Sequence, residues 1–370
     1  MDPAPRAKRH PVGGRSWPAD WRDRLSEEEG EHPMKIALLF DGLSALGKAP
    51  EVQLLDSIEA VESALLEWAS EVVRVPVSND GRWVERVRKG KFDLVFNLCE
   101  GIDGEAVYEA MVISVLELLG VPFTGSSSWT TALTLRKNVV NGVLDRAGLP
   151  VPRWTHIRRG DEVSSVGFPA ICKPVAEDAS VGIEQRSVVR SMRALTARVK
   201  AMFEGWDEVL VQRFVDGREV NVGILGDEIL PVAEIDFGQM PQGMWHIVSY
   251  RSKWETGSDE DLGAKPNCPA DLPEDVANEI AVIARTAWSV VGGQGYGRCD
   301  FRIDQSGRPW LLEVNANPDI SPTAGLARMA GVAALSYSDL IRRVCDHALA
   351  KRGENYQERW VKTLRLSGLG

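Results

Sequence analysis

Gly297-Arg298-Cys299-Asp300-Phe301-Arg302-Ile303-Asp304-Gln305-Ser306-Gly307-Arg308-Pro309-Trp310-Leu311-Leu312-Glu313-Val314-Asn315 decides how the chain is read. Two β-like runs flank Ser306-Gly307, a turn pair, so the stretch predicts an antiparallel hairpin. Centred there, the ribbon sets Asp300 opposite Glu313 and Arg298 opposite Asn315, all on one face because strand side chains alternate. Two opposed carboxylates repel at Cβ separations of ~5 Å. A divalent cation between them turns that repulsion into a site, and the oxygen-only set of Asp300, Glu313 and the Asn315 amide suits Mg²⁺. The competing reading is a solvated face on which Arg298 or Arg302 pairs the acids. Asn315-Ala316-Asn317-Pro318 favours the metal, because it adds neutral oxygen ligands where a plain strand ends.

Two upstream stretches fit a nucleotide. Phe168–Pro174 reads as a buried strand carrying Lys173 at its end, followed by Val175–Gly182, a run rich in small residues. Such a loop lets backbone N–H groups approach phosphate oxygens, with Lys173 on the α and β phosphates and Ser180 at the γ-phosphate. Val209–Glu219 reads as strand, turn, strand, whose exposed backbone edge offers a C=O and an N–H to adenine, with Glu219 placed to hold ribose hydroxyls. By contrast, Gly42–Ala49 nearly spells a P-loop, but Ala49 has no hydroxyl for Mg²⁺ and Pro50 opposes a continuing helix. A substrate-facing turn is the better reading of that segment.

Composition bounds the function. The 370 residues carry 43 basic and 53 acidic side chains, a net charge of −10, which argues against a protein that coats nucleic acid. With 44% hydrophobic residues the chain can bury a sizeable core. Its five cysteines (99, 172, 268, 299, 345) show no CxxC spacing, and its five histidines form no HxxxH pair, so buried thiols are expected rather than disulfides or zinc. No window approaches the ~18 apolar residues of a membrane span, and residues 1–33 lack the apolar region of a secretory signal. A cytoplasmic location is expected.

Along the chain, 1–33 reads as a disordered leader. Strands at 35–40, 72–77 and 92–98 alternate with helices at 51–69 and 105–119, which predicts a covered parallel sheet. One helix is expected over 130–147, then mainly strands from 153 to 235, with 183–189 among them and a helix near 191–203. A loop-rich stretch over 236–270 precedes a helix with Asp271 as N-cap and Val276, Ile280, Ile283, Ala287 and Val290 on one face.

Taken in order, Lys137, Lys173 with its small-residue loop, Gln212–Glu219, Lys253, Arg298 with Asp300, and Glu313-x-Asn315 resemble the ATP-grasp superfamily, most of all the D-alanine–D-alanine ligase family. The resemblance runs from about Met34 to Ala350 and includes LELLGVPFTGS before Lys137 and RAGLPVPRW after it. It implies an α/β (α+β) fold: an N-terminal α/β domain over 34–130, then an ATP-grasp domain of a central lobe (131–215) and a C-terminal lobe with the Mg²⁺ site (216–350), and a tail over 351–370. It also implies ATP and two Mg²⁺ ions, with Mn²⁺ as a substitute, and a carboxylate–amine ligase that forms an amide through an acyl phosphate. Lys137 and Lys173 would contact phosphates, while Gln212 and the backbone of Arg213 and Val215 would read adenine beside Phe214, with Glu219 on ribose. Lys253 would come from a loop closing over the γ-phosphate, Arg298 would stabilise the transferring phosphoryl group, and Asp300, Glu313 and Asn315 would hold the metal. The substrates would be a small acid and a small amine, and the chain a homodimer through its first domain, with no nucleic-acid or membrane partner.

The amino-acid side departs from the family. The family holds its first substrate with a glutamate–serine–tyrosine network; here Glu51 is the candidate glutamate, the serine position holds Ala179 and the tyrosine position Trp254. Glu100 stands for a histidine, Asp319 for a glycine whose N–H serves the oxyanion, and Ala324 for a serine that holds the second carboxylate. Each lost hydroxyl costs ~1–3 kcal/mol of substrate binding, so the expectation is a substrate pair other than D-alanine with D-alanine. An authentic D-alanine–D-alanine ligase, an ATP-grasp kinase and a non-catalytic nucleotide binder are the alternatives.

Overall fold

The computed structural model describes residues 34–43 and 51–351. The expected leader, the tail beyond Lys351, and positions 44–50, which include most of the Gly42–Ala49 turn, lie outside them.

The first sheet is three-stranded and parallel, ordered β2 (Glu71–Val77), β1 (Lys35–Asp41), β3 (Leu94–Asn97). β1 and β3 are buried on both faces, which is why they read as continuous apolar runs, while the edge strand β2 exposes Glu71, Arg74 and Pro76. One face packs on the helices Glu51–Leu66 and Tyr337–Ala350, the other on Arg82–Gly90 and Glu109–Leu119.

The remaining strands form two antiparallel sheets. One is ordered β4 (Trp154–Arg158), β7 (Glu208–Arg213), β5 (Ala170–Pro174), β6 (Val188–Val189). The other runs β11 (Lys265–Asn267), β10 (Ala233–Asp236), β8 (Gly217–Leu225), β12 (Tyr296–Asp304), β13 (Pro309–Asn315), with β9 (Glu228–Ile229) paired to β8. The helix Glu274–Val290 buries Ile280, Ile283, Ala284, Ala287 and Trp288 against Cys299, Phe301, Leu311 and Val314 of the hairpin. Each large apolar side chain buried there contributes ~1.5–3 kcal/mol. Gly297 lets the helix come this close: a Cβ at that position would stand 2.4 Å from the Trp288 ring.

Local structure differs from the sequence expectation at three places. The single helix expected over 130–147 is two, Ser128–Leu135 and Lys137–Arg146, broken at Arg136. The break frees the Lys137 N–H to donate to the Val175 carbonyl at 3.0 Å, which ties the second helix to the small-residue loop. The helix at 274 has Pro273, not Asp271, at its N-cap and no side-chain cap. Of the expected strand at 183–189 only Val188–Val189 is one, because Gln185–Ser187 winds into a 3₁₀ turn closed by a capping box between Glu184 and Ser187. Among the described residues no helix is long and apolar enough to cross a membrane.

Candidate active site

β12 and β13 place Arg298 opposite Asn315 and Asp300 opposite Glu313, the register expected from the turn at Ser306-Gly307. Beyond Asp300 the register shifts, so that Phe301 faces Leu311 and Leu312 has no partner. This β-bulge has a physical reason. Strict alternation would put Leu311 and Glu313 on the same face, yet Leu311 is fully buried in the core and Glu313 is not. One extra residue between them resolves the conflict. Cys299, Phe301, Ile303, Leu311 and Val314 go inward, and Arg298, Asp300 and Glu313 are left on the opposite face.

On that face charges are paired closely. Arg298 grips Asp300 with two hydrogen bonds, Nε to Oδ1 at 2.7 Å and Nη2 to Oδ2 at 2.9 Å, and Asn221 on β8 adds a third at 2.7 Å. Lys137 Nζ lies 2.9 Å from Glu313 and 3.1 Å from Asp178, and also donates to the Glu177 carbonyl. Burial by itself would raise the Glu313 carboxyl, but Lys137, Lys173 and Arg298 hold it at about 2. Burial opposes the charge of Lys137 too, yet Asp178 and Glu313 carry its value above the ordinary one. Lys173 has weaker support, and burial lowers it. Glu313 is thus a carboxylate and Lys137 an ammonium throughout the working pH range.

The hairpin's oxygens fit a hard cation. Asp300 and Glu313 are opposed, and the Asn315 amide oxygen is fixed by the Asn317 N–H at 2.9 Å. Among the described residues no group of three His, Cys, Asp or Glu side chains forms a metal cluster. Two carboxylates and an amide would suit Mg²⁺, which takes its remaining ligands from phosphate oxygens and water.

The loop over 175–182 carries two successive non-glycine residues in the left-handed region, Ala179 (φ 53°) and Ser180 (φ 62°). Each costs roughly 1–2 kcal/mol, so the surroundings must fix them. The segment over 245–254 does so. Ser180 Oγ donates to the Val248 carbonyl at 3.0 Å, the Trp254 indole N–H donates to the Ala179 carbonyl at 3.0 Å, and the Tyr250 N–H donates to the Ile183 carbonyl at 2.9 Å. Lys253 stands exposed on the short helix Tyr250–Trp254, with its ammonium 5.2 Å from the Trp254 ring centre. Two departures from the family pattern, Ala179 and Trp254, therefore touch each other.

On the sheet of β5 and β7, Lys173 Nζ donates to Gln212 Oε1 at 3.3 Å, and Phe214 packs edge-on against Trp245 with ring centres 5.2 Å apart. Val215 is half-buried beside it, and Arg213 is tied to the Pro169 carbonyl at 3.0 Å. Glu219, expected on ribose, accepts from the buried Arg302 at 2.7 Å; Arg302 also donates to the Gly217 and His246 carbonyls and lies against the rings of Phe214 and Phe237. Arg302 and Asn221 were not singled out as site residues in sequence, although both lie on the outward face of the β8–β12 ladder.

A cavity beside the hairpin is lined by Leu98, Glu100, Tyr296, Asn317, Pro318 and Asp319. The Glu100 side chain reaches solvent there, but desolvation by the protein packed around it raises its carboxyl to about 7, with Lys253 and Arg298 opposing the rise and Asp319 and Asp178 adding to it. Asp319 is exposed and accepts from the Ser321 N–H at 2.8 Å, and Ala324 precedes the helix Gly325–Val332. Glu51 opens the helix Glu51–Leu66, and its side chain lies outside the described residues. Asn317 is the hub of the region. Its oxygen accepts from the Tyr296 hydroxyl at 2.8 Å, and its amide N–H groups donate to Glu109 at 2.9 Å and to the Cys99 carbonyl at 3.2 Å. This joins the loop after β13 to the elements around the first sheet. Sequence reading found Asn317 only as a neutral oxygen donor and did not see Glu109.

A hairpin of opposed acids, approached by Lys173 from the neighbouring sheet and by Lys137 from the start of a helix, is the site of an ATP-grasp enzyme. The profile described as "D-ala D-ala ligase C-terminus" matches residues 143–346. The D-alanine–D-alanine ligase of Citrifermentans bemidjiense is 33% identical over 318 residues, spanning 86% of this chain and 97% of its own. That of Geobacter sulfurreducens is 32% identical over 326 residues, 86% of this chain and 96% of its own. In fold, the D-alanine–D-alanine ligase from Bacillus anthracis complexed with ATP superimposes with a TM-score of 0.69 at 19% identity, covering 86% of this chain and 98% of that one. The chain belongs to the D-alanine–D-alanine ligase family. It is an ATP-dependent, ADP-forming ligase that joins a carboxylate to an amine on small-molecule substrates, using ATP and Mg²⁺.

Proposed function

We propose that the protein joins D-alanine to D-alanine. What carries the ligation chemistry is the opposed Asp300–Glu313 pair, with Arg298 gripping one acid and Lys137 the other. The relatives named D-alanine–D-alanine ligases, matched across nearly their whole length, favour D-alanine over the altered substrate pair expected from the sequence. The Trp254–Ala179 bond supports this reading as well, since it makes by an indole N–H and a backbone carbonyl a loop-to-loop contact at the two replaced positions.

In this reading Lys137 and Lys173 hold phosphate oxygens, and Asp300, Glu313 and Asn315 would hold Mg²⁺, which would supply positive charge beside the transferring phosphoryl group. Arg298, fixed by Asp300, meets the charge that develops on the phosphate oxygens and then on the oxyanion of the tetrahedral intermediate. The first substrate's carboxylate attacks the γ-phosphate of ATP, so that an acyl phosphate forms and ADP leaves. Lys253 with its loop keeps water away until the second substrate's amine attacks the acyl carbon and inorganic phosphate departs. Two chains pair in this proposal through the apolar side chains that the first unit exposes, Met111 at 55%, Leu118 at 77% and Trp129 at 63%.

One observation favours a second reading. Glu100 and Asp319 line the same cavity, and neither forms an ion pair among the described residues. Two acids without a direct ion-pair partner, with Lys253 and Arg298 acting on Glu100 only at a distance, would disfavour an incoming carboxylate and suit a cationic amine acceptor. Mass spectrometry of products formed with Mg-ATP decides between the two. D-Alanyl-D-alanine formed at millimolar D-alanine supports the first reading, and amides formed only with amines that lack a carboxylate support the second. Failure of hydroxylamine to trap a hydroxamate from any acid tested, with ADP still released, refutes both.

A further inference from the structure

We propose that Glu208 is a positioning residue for Lys137, fixing it through the two residues that flank it in sequence. Lys137 begins its helix just after the break at Arg136, whose backbone (φ −91°, ψ 86°) is not helical, and no side chain caps the new helix. A helix start without a cap must be held by other groups. Arg136 Nη2 lies 2.5 Å from Glu208 Oε2. His156 Nε2 lies 3.1 Å from Glu208 Oε1, and His156 Nδ1 lies 3.2 Å from the amide nitrogen of Asn138. One carboxylate thus reaches the residue before Lys137 directly and the residue after it by way of an imidazole. Arg158 approaches the same carboxylate at 3.8 Å, but its side chain is 69% exposed.

The arrangement bears on how two lysines are held relative to each other. Strand alternation and register put His156, Glu208, Leu210, Gln212 and Lys173 on one face of the sheet. Lys173 is therefore placed by the sheet itself, whereas Lys137 comes from a helix and shares the sheet's frame only through ties to it. The Lys137 N–H on the Val175 carbonyl at 3.0 Å is one tie. A single hydrogen bond leaves a helix start free to swivel about it, and the carboxylate of Glu208 supplies the attachments that stop the swivel. Lys137 Nζ stands 2.9 Å from Glu313 and 3.1 Å from Asp178, so a turn of the helix start is felt at the site. Arg136 and Glu208 are 39% and 26% exposed, and a pair so placed adds little to stability. Its use lies in position.

The inference rests on the reading of Lys137 as a phosphate ligand, and equilibrium binding of Mg-ADP by titration calorimetry tests the two separately. Lys137→Met is expected to bind Mg-ADP ~10-fold or more weakly than the native protein, the loss of a charged hydrogen bond. Glu208→Ala and Arg136→Ala are each expected to weaken binding ~5-fold, the upper end of what a part-exposed ion pair delivers, with melting temperatures within ~3 °C of native. Added to Lys137→Met, Glu208→Ala is expected to change affinity by less than ~2-fold, because the residue through which it acts is gone. Native affinity in either alanine variant overturns the inference, and so does a double variant in which the two losses multiply in full. Should Glu208→Ala fail to fold, Arg136→Ala carries the same test, alone and with Lys137→Met. If Lys137→Met binds Mg-ADP as the native protein does, the phosphate reading of Lys137 falls, and the inference with it.

Discussion

Replacing Asn317 with alanine removes three buried hydrogen bonds in one step: from the Tyr296 hydroxyl, to Glu109 and to the Cys99 carbonyl. Tyr296 and Cys99 are fully buried and Glu109 is 6% exposed, so none of the three regains bulk water on losing its partner. An orphaned buried group costs ~1–3 kcal/mol, but the losses share one cavity and do not add. A net destabilisation of about 3 kcal/mol is expected. The pH dependence is specific. Burial raises the Glu109 carboxyl well above its usual range, and the Asn317 N–H is the group that pulls it back. Without that N–H the folded value rises further above the unfolded one. The mutant therefore keeps most of its stability where Glu109 is protonated and loses more as pH rises and ionisation is demanded. Urea titrations followed by tryptophan fluorescence, at about pH 5.5 and about pH 8, measure both effects. A loss below ~1 kcal/mol at the higher pH, or one that shrinks as pH rises, would refute the hub role.

Other expectations are simpler to test. Glu313→Gln should lower ADP release by ~10²–10³-fold while the melting temperature changes little, because Lys137 keeps Asp178 and the Glu177 carbonyl; native turnover would discard the metal assignment. Lys253→Ala should leave stability within ~0.5 kcal/mol, as expected for an exposed side chain, yet reduce turnover, and unchanged kcat would remove Lys253 from the site. Glu100, raised from its ordinary 4.5 to about 7, favours the folded state while protonated, so its contribution is full below the lower value and is lost as pH climbs through the upper one. Glu100→Gln should flatten the stability curve over that window, as thermal melts in a pH series would show. Trp254→Phe removes the N–H to Ala179 and should cost ~1 kcal/mol of loop docking, read as faster proteolysis between residues 236 and 264.

The parts of this molecule that were legible in sequence are those governed by short-range rules. A turn pair and strand alternation predict Asp300 against Glu313 and Arg298 against Asn315, and the ladder makes both pairs. Beside the turn it runs one residue out of that register until the bulge at Leu312 restores it. Apolar runs sufficed for the parallel sheet, and the 3.6-residue period for the helix at 274–290. What was not legible depends on partners far apart in the chain. Nothing local announces that Asn317 meets Glu109, 208 residues away, or that Arg302 holds Glu219, 83 residues away. The helix break at Arg136 is of the same kind, since the Val175 carbonyl that takes the Lys137 N–H lies in another element. The bulge at Leu312 was in principle readable, because Leu311 and Glu313 cannot share a face that is both dry and ionic.

That bulge makes the ribbon unevenly tolerant of changes in length. Leu312 is the one position of β13 that the ladder skips, so excising it would bring Leu311 next to Glu313 and restore plain alternation, with every side chain keeping its present orientation. Excising Leu311 or Val314 instead would pull an acid toward oil or a leucine toward phosphate. A homologue shortened by one residue here should therefore carry its gap at 312, and its hairpin should be straighter for it.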